Sequence, residues 1–357
     1  MSADMARHGL RAPVNITWEI TFDCMLRCQH CLSDSGHALA DELDTDQCCR
    51  LIDHFSALKV FQVNIGGGEP FVRNDFLDLL DYAHERGVVT CVSTNGMLID
   101  DQLSKHLSRL KNLYLQLSLD GATAEINDPI RGAGTYKRIL SAADSLASNG
   151  VDFSINTVLT RMNYPQLDEM RNLARGYGAE LRVSRFRPSG RARDSHEYLA
   201  PSADQLEAFA DWLEGHDLVR TGDSFFCLTS ENRRRKGLDM CGAAKMTCCI
   251  TPAGDVYPCA FLQVQDFWVG NIRDVAFKTL WDHSPVFKGL RNLKIDTCES
   301  CDRFDICRGG CPAVAYHRFG DIHRPDPECL VNLKTGGSVS MPYQRKELKA
   351  NTTSIPG

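Results

Sequence analysis

The chain has 357 residues, of which 43% are hydrophobic and 24% charged, and its formal net charge is −6. This composition excludes a collagen-like, coiled-coil or disordered protein and suits one large α/β barrel or two domains. The mild acidity predicts no nucleic-acid partner and no anionic membrane partner, and no apolar run approaches the roughly 18 residues of a spanning helix. Because the first residues lack a signal peptide's apolar core, we expect a soluble, cytoplasmic protein.

The first half of the chain alternates β-branched apolar runs with amphipathic stretches. Six strands are predicted, at Asn15–Thr21, Phe61–Gly66, Val88–Ser93, Tyr114–Leu119, Phe153–Leu159 and Glu180–Arg187. Five helices are predicted between them, at Thr45–Leu58, Asn74–Arg86, Asp100–Leu110, Thr135–Asn149 and Tyr164–Tyr177. This order predicts a parallel sheet with right-handed crossovers. Since no dinucleotide fingerprint follows the first strand, we expect a partial, TIM-like (β/α)6 barrel.

Local signals predict where the helices begin and end. The predicted N-caps are Thr45, Asn74 and Thr135. The pairs Arg86-Gly87 and Asn149-Gly150 predict helix ends, since glycine adopts the left-handed conformation that terminates a helix.

Most predicted strands run into Gly or short polar residues, namely a cysteine loop, GGGEP, STNG, SLDG and FRPSG. Such residues are also ordinary turn formers. Because the carboxyl ends of barrel strands carry the chemistry, however, several such segments in register favour an active site.

The pattern changes after about Pro188. One amphipathic helix is predicted over Ala203–Gly215, and the region from Cys241 to Cys329 has few long apolar runs. We therefore expect a small domain whose core is a metal site rather than a hydrophobic cluster. The predicted domains are a barrel at 14–190, a helical linker at 191–240, a cysteine-rich domain at 241–330 and a flexible tail at 331–357.

The 16 cysteines are clustered, with three at 24–31, four at 241–259 and five at 298–329. In a long chain without an export signal, such clusters indicate metal or redox chemistry rather than disulfides. Cys48, Cys49 and Cys91 lie outside these clusters, in a predicted helix and a predicted strand, and are expected to be buried small hydrophobes.

The first cluster, Cys24, Cys28 and Cys31, has the spacing C-x3-C-x2-C. A structural zinc site needs four ligands, so zinc would require Asp23 or His30 as well. A [4Fe–4S] cluster held by three thiolates instead leaves one iron open to a small molecule. The spacing favours the iron–sulfur interpretation.

The segment CMLRCQHC resembles the signature of the radical S-adenosylmethionine (SAM) enzymes, in which the open iron binds SAM. The resemblance implies that Gly66, Gly67, Gly68 and Glu69 meet the methionyl ammonium. It further implies that Ser118 and Asp120 hold the ribose and that Arg131 holds the carboxylate. Ser93, Thr94 and Asn95 match the family's third strand less specifically. These residue types suit a bound ammonium group, because glycines without side chains let the ligand approach the strand and a carboxylate complements its charge.

The C-terminal cysteines run Cys241-x12-Gly254-x4-Cys259, then Cys298-x2-Cys301-x5-Cys307-x3-Cys311, then Cys329. This pattern resembles the SPASM extension of radical SAM peptide maturases, which carries two auxiliary [4Fe–4S] clusters, so three clusters are expected in all. The resemblance implies a distal cluster on Cys298, Cys301, Cys307 and Cys329, and a nearer one on Cys241, Cys259 and Cys311. On spacing alone, a pair of zinc ribbons is the alternative.

The fourth ligand of the nearer cluster is left open. Cys248 and Cys249 are consecutive on a predicted strand, TCCIT, so at most one of them faces the cluster. Cys248 is preferred, with Cys249, Cys227 and an open iron as alternatives.

The wider match, through ITWEITFDC, FQVNIGGGEP, QLSLDGATAEINDPIRG, RFRPSGR, TGDSFF and CITPAGDVYPC, resembles the mycofactocin-maturation branch of these enzymes. That resemblance implies oxidative decarboxylation of the C-terminal Tyr of a precursor peptide ending in Val-Tyr, and then a C–C bond between the tyramine unit and Val. It also implies a separate small peptide-binding chaperone and an electron donor such as flavodoxin or ferredoxin.

Substrate-binding residues are predicted at the end of the sixth strand, where Arg185 and Arg187 could meet a peptide carboxylate. The alternative is that both form surface or interdomain salt bridges. Asp223 in TGDSFF is a further candidate. The competing functions are a sulfatase-activating, thioether-forming or haem-modifying relative and, outside enzymes, a metal-binding scaffold.

Overall fold

The computed structural model describes residues 10–216, 219–221, 241–302 and 304–329. Asp223, Cys227 and the predicted tail at 331–357 lie outside the described residues.

Six parallel strands form the barrel wall in the order in which they occur in the chain, which confirms the predicted fold. They are β1 (Asn15–Thr21), β2 (Gln62–Gly67), β3 (Thr90–Thr94), β4 (Leu113–Ser118), β5 (Phe153–Val158) and β6 (Glu180–Ser184). A two-residue strand, β7 (Arg220–Thr221), adds to β6. Alternate side chains of β1 point outwards, and Trp18 packs edge-on against Phe55 with ring centroids 5.9 Å apart.

Eight helices accompany these strands in the described residues. They are α1 (Thr45–Ala57), α2 (Phe76–Glu85), α3 (Asp101–Leu107), α4 (Ala124–Arg131), α5 (Thr135–Ser148), α6 (Leu167–Gly176), α7 (Ala192–Leu199) and α8 (Ala203–Glu214). The prediction lacked α4 and α7. Helix α4 contains Pro129, whose missing N–H is unfavourable inside a helix, so the local pattern gave no helical signal.

The predicted N-caps are wrong, although the helices are correct. Helix α1 is capped by Asp44, whose carboxylate accepts from the Gln47 N–H at 2.7 Å, and not by Thr45. Asp75 precedes α2 instead of Asn74, and Gly134 precedes α5, which makes Thr135 its first helical residue. The predicted ends of α2 and α5 are confirmed, with Gly87 and Gly150 at φ values of 70° and 66°.

The cysteine-rich half continues the same sheet. Strand β8 (Thr247–Ile250) pairs in parallel with β1, and β9 (Asp255–Tyr257) and β10 (Gly270–Asn271) follow in antiparallel order. Among the described residues of this half, four helices follow, namely α9 (Phe277–His283), α10 (Pro285–Arg291), α11 (Phe304–Cys307) and α12 (Pro312–Phe319).

The expectation of a metal core in place of a hydrophobic one is wrong. Phe277, Trp281 and Phe287 are buried in a hydrophobic cluster that is continuous with the core of the barrel. This half therefore has apolar packing of its own as well as its cysteines. Among the described residues, no helix combines the length and the apolarity needed to cross a membrane.

The three cysteines predicted to be buried small hydrophobes, namely Cys48, Cys49 and Cys91, differ from one another. Cys48 is buried in the hydrophobic core, as predicted. Cys49 is only half-buried, so the prediction is wrong for it. Cys91 is buried but faces a polar cavity of about 590 Å³ at the amino end of the barrel strands, where the Gln116 side chain donates to its sulfur at 3.1 Å.

Candidate metal centres and SAM site

The segment Cys24–Cys31, here called the first cysteine loop, leaves the carboxyl end of β1. Its thiols are half-buried, and Cys24 is electrostatically coupled to both Cys28 and Cys31, so all three lie together. Burial raises the pKa of Cys24 to about 11. The Asn95 amide donates towards the Cys24 sulfur at 3.7 Å. Three thiols with one polar donor beside them fit a [4Fe–4S] cluster in which one iron has no protein ligand.

The glycine-rich element holds this loop in place. The N–H of Gly68 donates to the Thr21 carbonyl at 2.7 Å, and the N–H of Glu69 donates to the Asp23 carbonyl at 2.8 Å. A Cβ at Gly68 would lie 1.9 Å from the Asp23 oxygen, which explains why no side chain is present. At Gly66 the nearest atom would be 3.8 Å away. Gly67 and Gly68 therefore serve packing, and Gly66 leaves room for a ligand.

Glu69 ties the ends of β2 and β3 together. Its fully buried carboxylate accepts from the Thr94 hydroxyl at 2.8 Å and from the Asn95 N–H at 2.7 Å. Burial raises the pKa of Glu69 to about 7. These contacts give the residue a positioning role, and its contact with a SAM ammonium stays a prediction.

Asp120 lies at the centre of a charged cluster at the end of β4. It is fully buried, pairs with the Arg131 Nε at 2.7 Å, contacts His30 Nε2 and accepts from the Val158 N–H at 2.8 Å. Arg131 and then His30 hold the pKa of the Asp120 carboxyl below its usual range, against the effect of burial. Because the carboxylate already has these partners, it positions Arg131 and His30. The predicted ribose contacts of Ser118 and Asp120 stay predictions.

Arg131 reaches the first cysteine loop through α4, the helix that the prediction lacked. The last turn of α4 contacts the loop directly, since the Gln29 N–H donates to the Ile130 carbonyl at 2.9 Å. The Arg131 guanidinium is buried and electrostatically coupled to Cys28 and Cys24. A cation beside the three thiols is well placed to bind a carboxylate there.

A second set of thiols, Cys241, Cys259 and Cys311, lies together and is here called the near bay. Cys259 is electrostatically coupled to the other two. Burial raises the pKa of Cys241 to about 12 and raises the pKa of the other two thiols as well. The structure thus brings together three cysteines from separate segments of the chain.

The structure places Cys248, the preferred ligand, and Cys249 on opposite faces of β8. In the register of β8 with β1, Cys248 is the partner of Ile16 and packs in the hydrophobic core, with Arg291 as its charged neighbour. Cys249 lies on the opposite face, where it is coupled to Cys259. Cys249 is therefore the member of the pair that faces the near bay.

Four further cysteines form a third group, here called the distal bay, which consists of Cys298, Cys301, Cys307 and Cys329. Cys298 is electrostatically coupled to all three of the others, and burial raises its pKa to about 11. Across the described residues, no three His, Cys, Asp or Glu side chains converge tightly enough for a single metal ion. The three groups of thiols are the ones that the family resemblance implied, and their roles as cluster ligands stay predictions.

Arg185 has the interdomain role that was the alternative to substrate binding. Its guanidinium makes two 2.7 Å bonds to Asp326 and a third of 2.7 Å to Glu328. Asp326 also accepts from the N–H of Cys311 at 2.9 Å. Arg185 therefore connects the end of β6 to the segment that carries near-bay and distal-bay cysteines, and its predicted substrate contact is not supported.

Sequence reasoning missed Glu19, which is buried on the inner face of β1. It accepts from the Gln263 amide at 2.5 Å and lies 3.9 Å from the Cys249 sulfur, and burial raises its pKa to about 7. The available signal was the single charged residue in the strand NITWEIT. Strand alternation places it opposite Trp18, on the side of the barrel interior.

Two family models match the chain. The radical SAM superfamily model covers residues 18–174, and the SPASM iron–sulfur cluster-binding model covers residues 241–303. Mycofactocin maturase MftC of Mycobacterium ulcerans is 45% identical over 329 residues, which is 90% of this chain and 89% of that protein. The AdoMet-dependent heme synthase of Methanosarcina barkeri is 28% identical, over 89% of this chain and 97% of that protein.

Among solved structures, SuiB of Streptococcus suis bound to S-adenosylmethionine has the same fold. The TM-score is 0.73 at 22% identity, over 92% of this chain and 80% of that one. The fold, the thiol groups and both family models define a radical SAM enzyme with a SPASM domain. At 45% identity over nearly its whole length, the chain belongs to the mycofactocin maturase family.

Proposed function

We propose that this enzyme matures a ribosomally made precursor peptide ending in Val-Tyr. In the first stage the C-terminal Tyr loses one hydrogen atom, one electron and its carboxylate as CO2, which leaves an unsaturated amine. In the second, the tyramine unit is joined to Val by a C–C bond. The observation that carries the proposal is the 45% identity with mycofactocin maturases, which spans the first cysteine loop and the SPASM half alike.

We assign one [4Fe–4S] cluster to the first cysteine loop and one to each bay. When bound, the first cluster and SAM supply a 5′-deoxyadenosyl radical that removes an unactivated hydrogen. The chain's own residues hold and orient SAM, with Arg131 at its carboxylate and the open edge at Gly66 at its ammonium. The contacts of Ser93, Asn95, Ser118 and Asp120 with SAM are part of the same proposal.

The near bay is our candidate for the electron acceptor. Decarboxylation to a closed-shell alkene requires one further electron to leave the peptide, and a buried cluster near the substrate could take it. Cys249, with its sulfur on the near-bay side of β8, is the candidate fourth ligand among the described residues. Cys227 and an open iron are the alternatives.

We further propose that a separate small chaperone delivers the peptide and that flavodoxin or ferredoxin reduces the first cluster, both in the cytoplasm. The deciding experiment is anaerobic. The reconstituted, reduced enzyme is given SAM, chaperone and a peptide ending in Val-Tyr, and the peptide mass is recorded. We expect loss of one CO2 and two hydrogens together with release of 5′-deoxyadenosine.

Two other outcomes would contradict parts of the proposal. Formation of 5′-deoxyadenosine with an unchanged peptide would overturn the substrate and keep the radical SAM chemistry. No SAM cleavage by an iron-replete protein would favour the metal-binding scaffold.

The near bay is tested by replacing Cys241, Cys259 and Cys311 with Ala. This variant should still cleave SAM but should not decarboxylate the peptide. Cys48→Ala is the matched control, since Cys48 is a cysteine of the hydrophobic core. Decarboxylation at the normal rate in the triple variant would exclude the near bay as electron acceptor.

A further inference from the structure

The motif RFRPSGR occupies residues 185–191, the segment between β6 and α7, and its last residue contacts the first cysteine loop. The N–H of Arg191 donates to the Cys31 carbonyl at 3.0 Å. Its Nε donates to the Cys28 carbonyl at 3.0 Å, and its Nη1 donates to the Ser35 carbonyl at 2.7 Å. One residue therefore holds three carbonyls, two in the loop and one shortly after it.

Two nearby residues complete this contact. Gly190 has a φ of 54°, and a Cβ there would lie 2.5 Å from the Cys31 carbonyl oxygen, so glycine is what lets the two backbones come this close. On α7, the Ser195 hydroxyl donates to the Gln29 carbonyl at 2.8 Å. The second half of the loop is thus bound by the segment and by α7.

The segment is itself fixed along its length. At its start, Arg185 pairs with Asp326 at 2.7 Å. In its middle, Arg187 is only 5% exposed, and its guanidinium carbon lies 3.8 Å from the centre of the Phe261 ring, a contact that restricts a guanidinium. The substrate contact predicted for Arg187 stays a prediction. Arg191 therefore holds the loop from a well-packed part of the structure.

The two ends of the loop are held by different strands. Gly68 and Glu69, which follow β2, bind the carbonyls of Thr21 and Asp23 and so hold the start of the loop. Arg191, which follows β6, holds its end. Loss of Arg191 should therefore loosen the end of the loop and leave its start in place.

The hydrogen bonds to carbonyls, rather than the ion pair, give Arg191 its effect. Arg191 also pairs with Asp34 at 2.6 Å, but the Asp34 side chain is 64% exposed, so this pair contributes little. A guanidinium has several N–H groups in a fixed fork and can bind two carbonyls at once, and bonds from a charged donor are stronger than neutral ones. A lysine would keep the charge but lacks the fork.

We propose that Arg191 is a positioning residue of the SAM site, which holds the end of the first cysteine loop in the geometry that SAM requires. The inference rests on the proposed function only in placing SAM and a cluster at this loop. Arg131, the residue assigned to the SAM carboxylate, is on α4, and α4 contacts the loop at Gln29. Because SAM must meet both the loop and Arg131, a loop that is held in advance binds SAM at a smaller cost in ordering.

The test uses the iron-loaded enzyme and needs no peptide. Hydrogen exchange followed by mass spectrometry reports how firmly the loop is held, and equilibrium titration reports the SAM affinity. In Arg191→Gln we expect exchange at residues 28–36 to be about tenfold faster and SAM to bind about tenfold more weakly, as for the loss of one strong hydrogen bond. Exchange at residues 21–24 should stay unchanged. Arg191→Lys should resemble Arg191→Gln, because it keeps only the charge.

Arg273→Gln is the matched control. Arg273 also donates to two backbone carbonyls, those of Ala253 and Asp41, each at 2.5 Å, but these lie outside the first cysteine loop. Its replacement should leave the SAM affinity and the exchange of the loop unchanged. Should Arg191→Gln not retain its iron, Ser195→Ala removes one bond to the loop and keeps the arginine, and effects of about threefold in the same direction are expected.

Unchanged exchange at residues 28–36 would overturn the proposal, and so would an equal rise of exchange throughout the chain. Faster exchange of the loop with unchanged SAM affinity would also overturn it, because Arg191 would then have a purely structural role. Full restoration by Arg191→Lys would mean that charge alone is sufficient, against the proposal. Since no peptide is present, none of these results bears on the substrate, and a wrong substrate would not alter them.

Discussion

The first cysteine loop and the near bay each provide three cysteines, but the chain brings them together in different ways. The three thiols of the loop come from eight consecutive residues and lie beside the open edge at Gly66. The near-bay thiols come from three distant segments, and Cys311 is buried whereas Cys241 and Cys259 are half-buried. The comparison teaches that the loop can form locally, next to space for a molecule, whereas the near bay forms only when distant parts of the chain have folded together.

The largest effect is expected from removing the first cysteine loop's ligands. Replacing Cys24, Cys28 and Cys31 by Ala should abolish SAM cleavage and remove about four irons per chain, because one [4Fe–4S] cluster is lost. Iron analysis measures the lost cluster, and release of 5′-deoxyadenosine measures SAM cleavage. Cys48→Ala should change neither, and residual SAM cleavage in the triple variant would show that the loop is not the SAM site.

The next largest effect is expected on stability, because the ion pairs of Arg185 connect the barrel to the segment that carries near-bay and distal-bay cysteines. Arg185→Gln leaves the buried Asp326 and the partly exposed Glu328 without the cation that they share, which should cost about 3–5 kcal/mol of unfolding free energy. Denaturant unfolding under anaerobic conditions measures it, with iron release from the bays as a second readout. Arg220→Gln, at the exposed pair with Glu180, should cost less than about 1 kcal/mol. Equal costs would mean that the Arg185 pair is not buried in solution.

A smaller effect, on SAM affinity, is expected from replacing Arg131 beside the first cysteine loop. Arg131→Lys keeps a positive charge beside Asp120 but loses the planar fork that matches a carboxylate. We expect SAM to bind about 30-fold more weakly, or about 2 kcal/mol, by equilibrium titration of the holoenzyme. Arg109→Gln, at an exposed arginine, is the control. Unchanged SAM affinity in Arg131→Lys would remove Arg131 from the SAM site.

The smallest effect concerns the thiols themselves in the iron-free protein. Burial raises the pKa of both thiols, to about 11 for Cys24 and to about 12 for Cys241, so at pH 8 we expect Cys241 to be alkylated more slowly than Cys24. Both rates should rise about tenfold per pH unit, because both pKa values lie well above the experimental pH. Peptide mass mapping over time measures the rates, and equal rates would show that the near bay is open without its cluster.

The sequence predicted the strands well because strands are local patterns. β-Branched runs mark them to within a few residues, whereas the grouping of Cys311 with Cys241 and Cys259 was implied by the family resemblance and not by local spacing. The helix caps were missed because Asp44 and Thr45 are both good cap residues, and only the observed bond to Gln47 decides between them.

The features of the site that the sequence did not predict depend on contacts between residues that are far apart in the chain. The carboxylate that pairs with Arg185 lies 141 residues later, so no local pattern separates an ion pair from a substrate contact. Strand alternation predicted that only one of Cys248 and Cys249 faces the near bay. Which one does so is decided by the register of β8 against β1, and no local signal contains that register.

Strand β8 also determines how this protein can be divided. Its residues belong to the cysteine-rich half, yet Thr247–Ile250 cover the edge of β1 along Asn15–Trp18. A chain cut between the two halves would expose that edge, and an exposed strand edge pairs readily with other molecules. The barrel by itself should therefore aggregate. An exchange of C-terminal halves between relatives would have to transfer a matching strand as well as the cysteines.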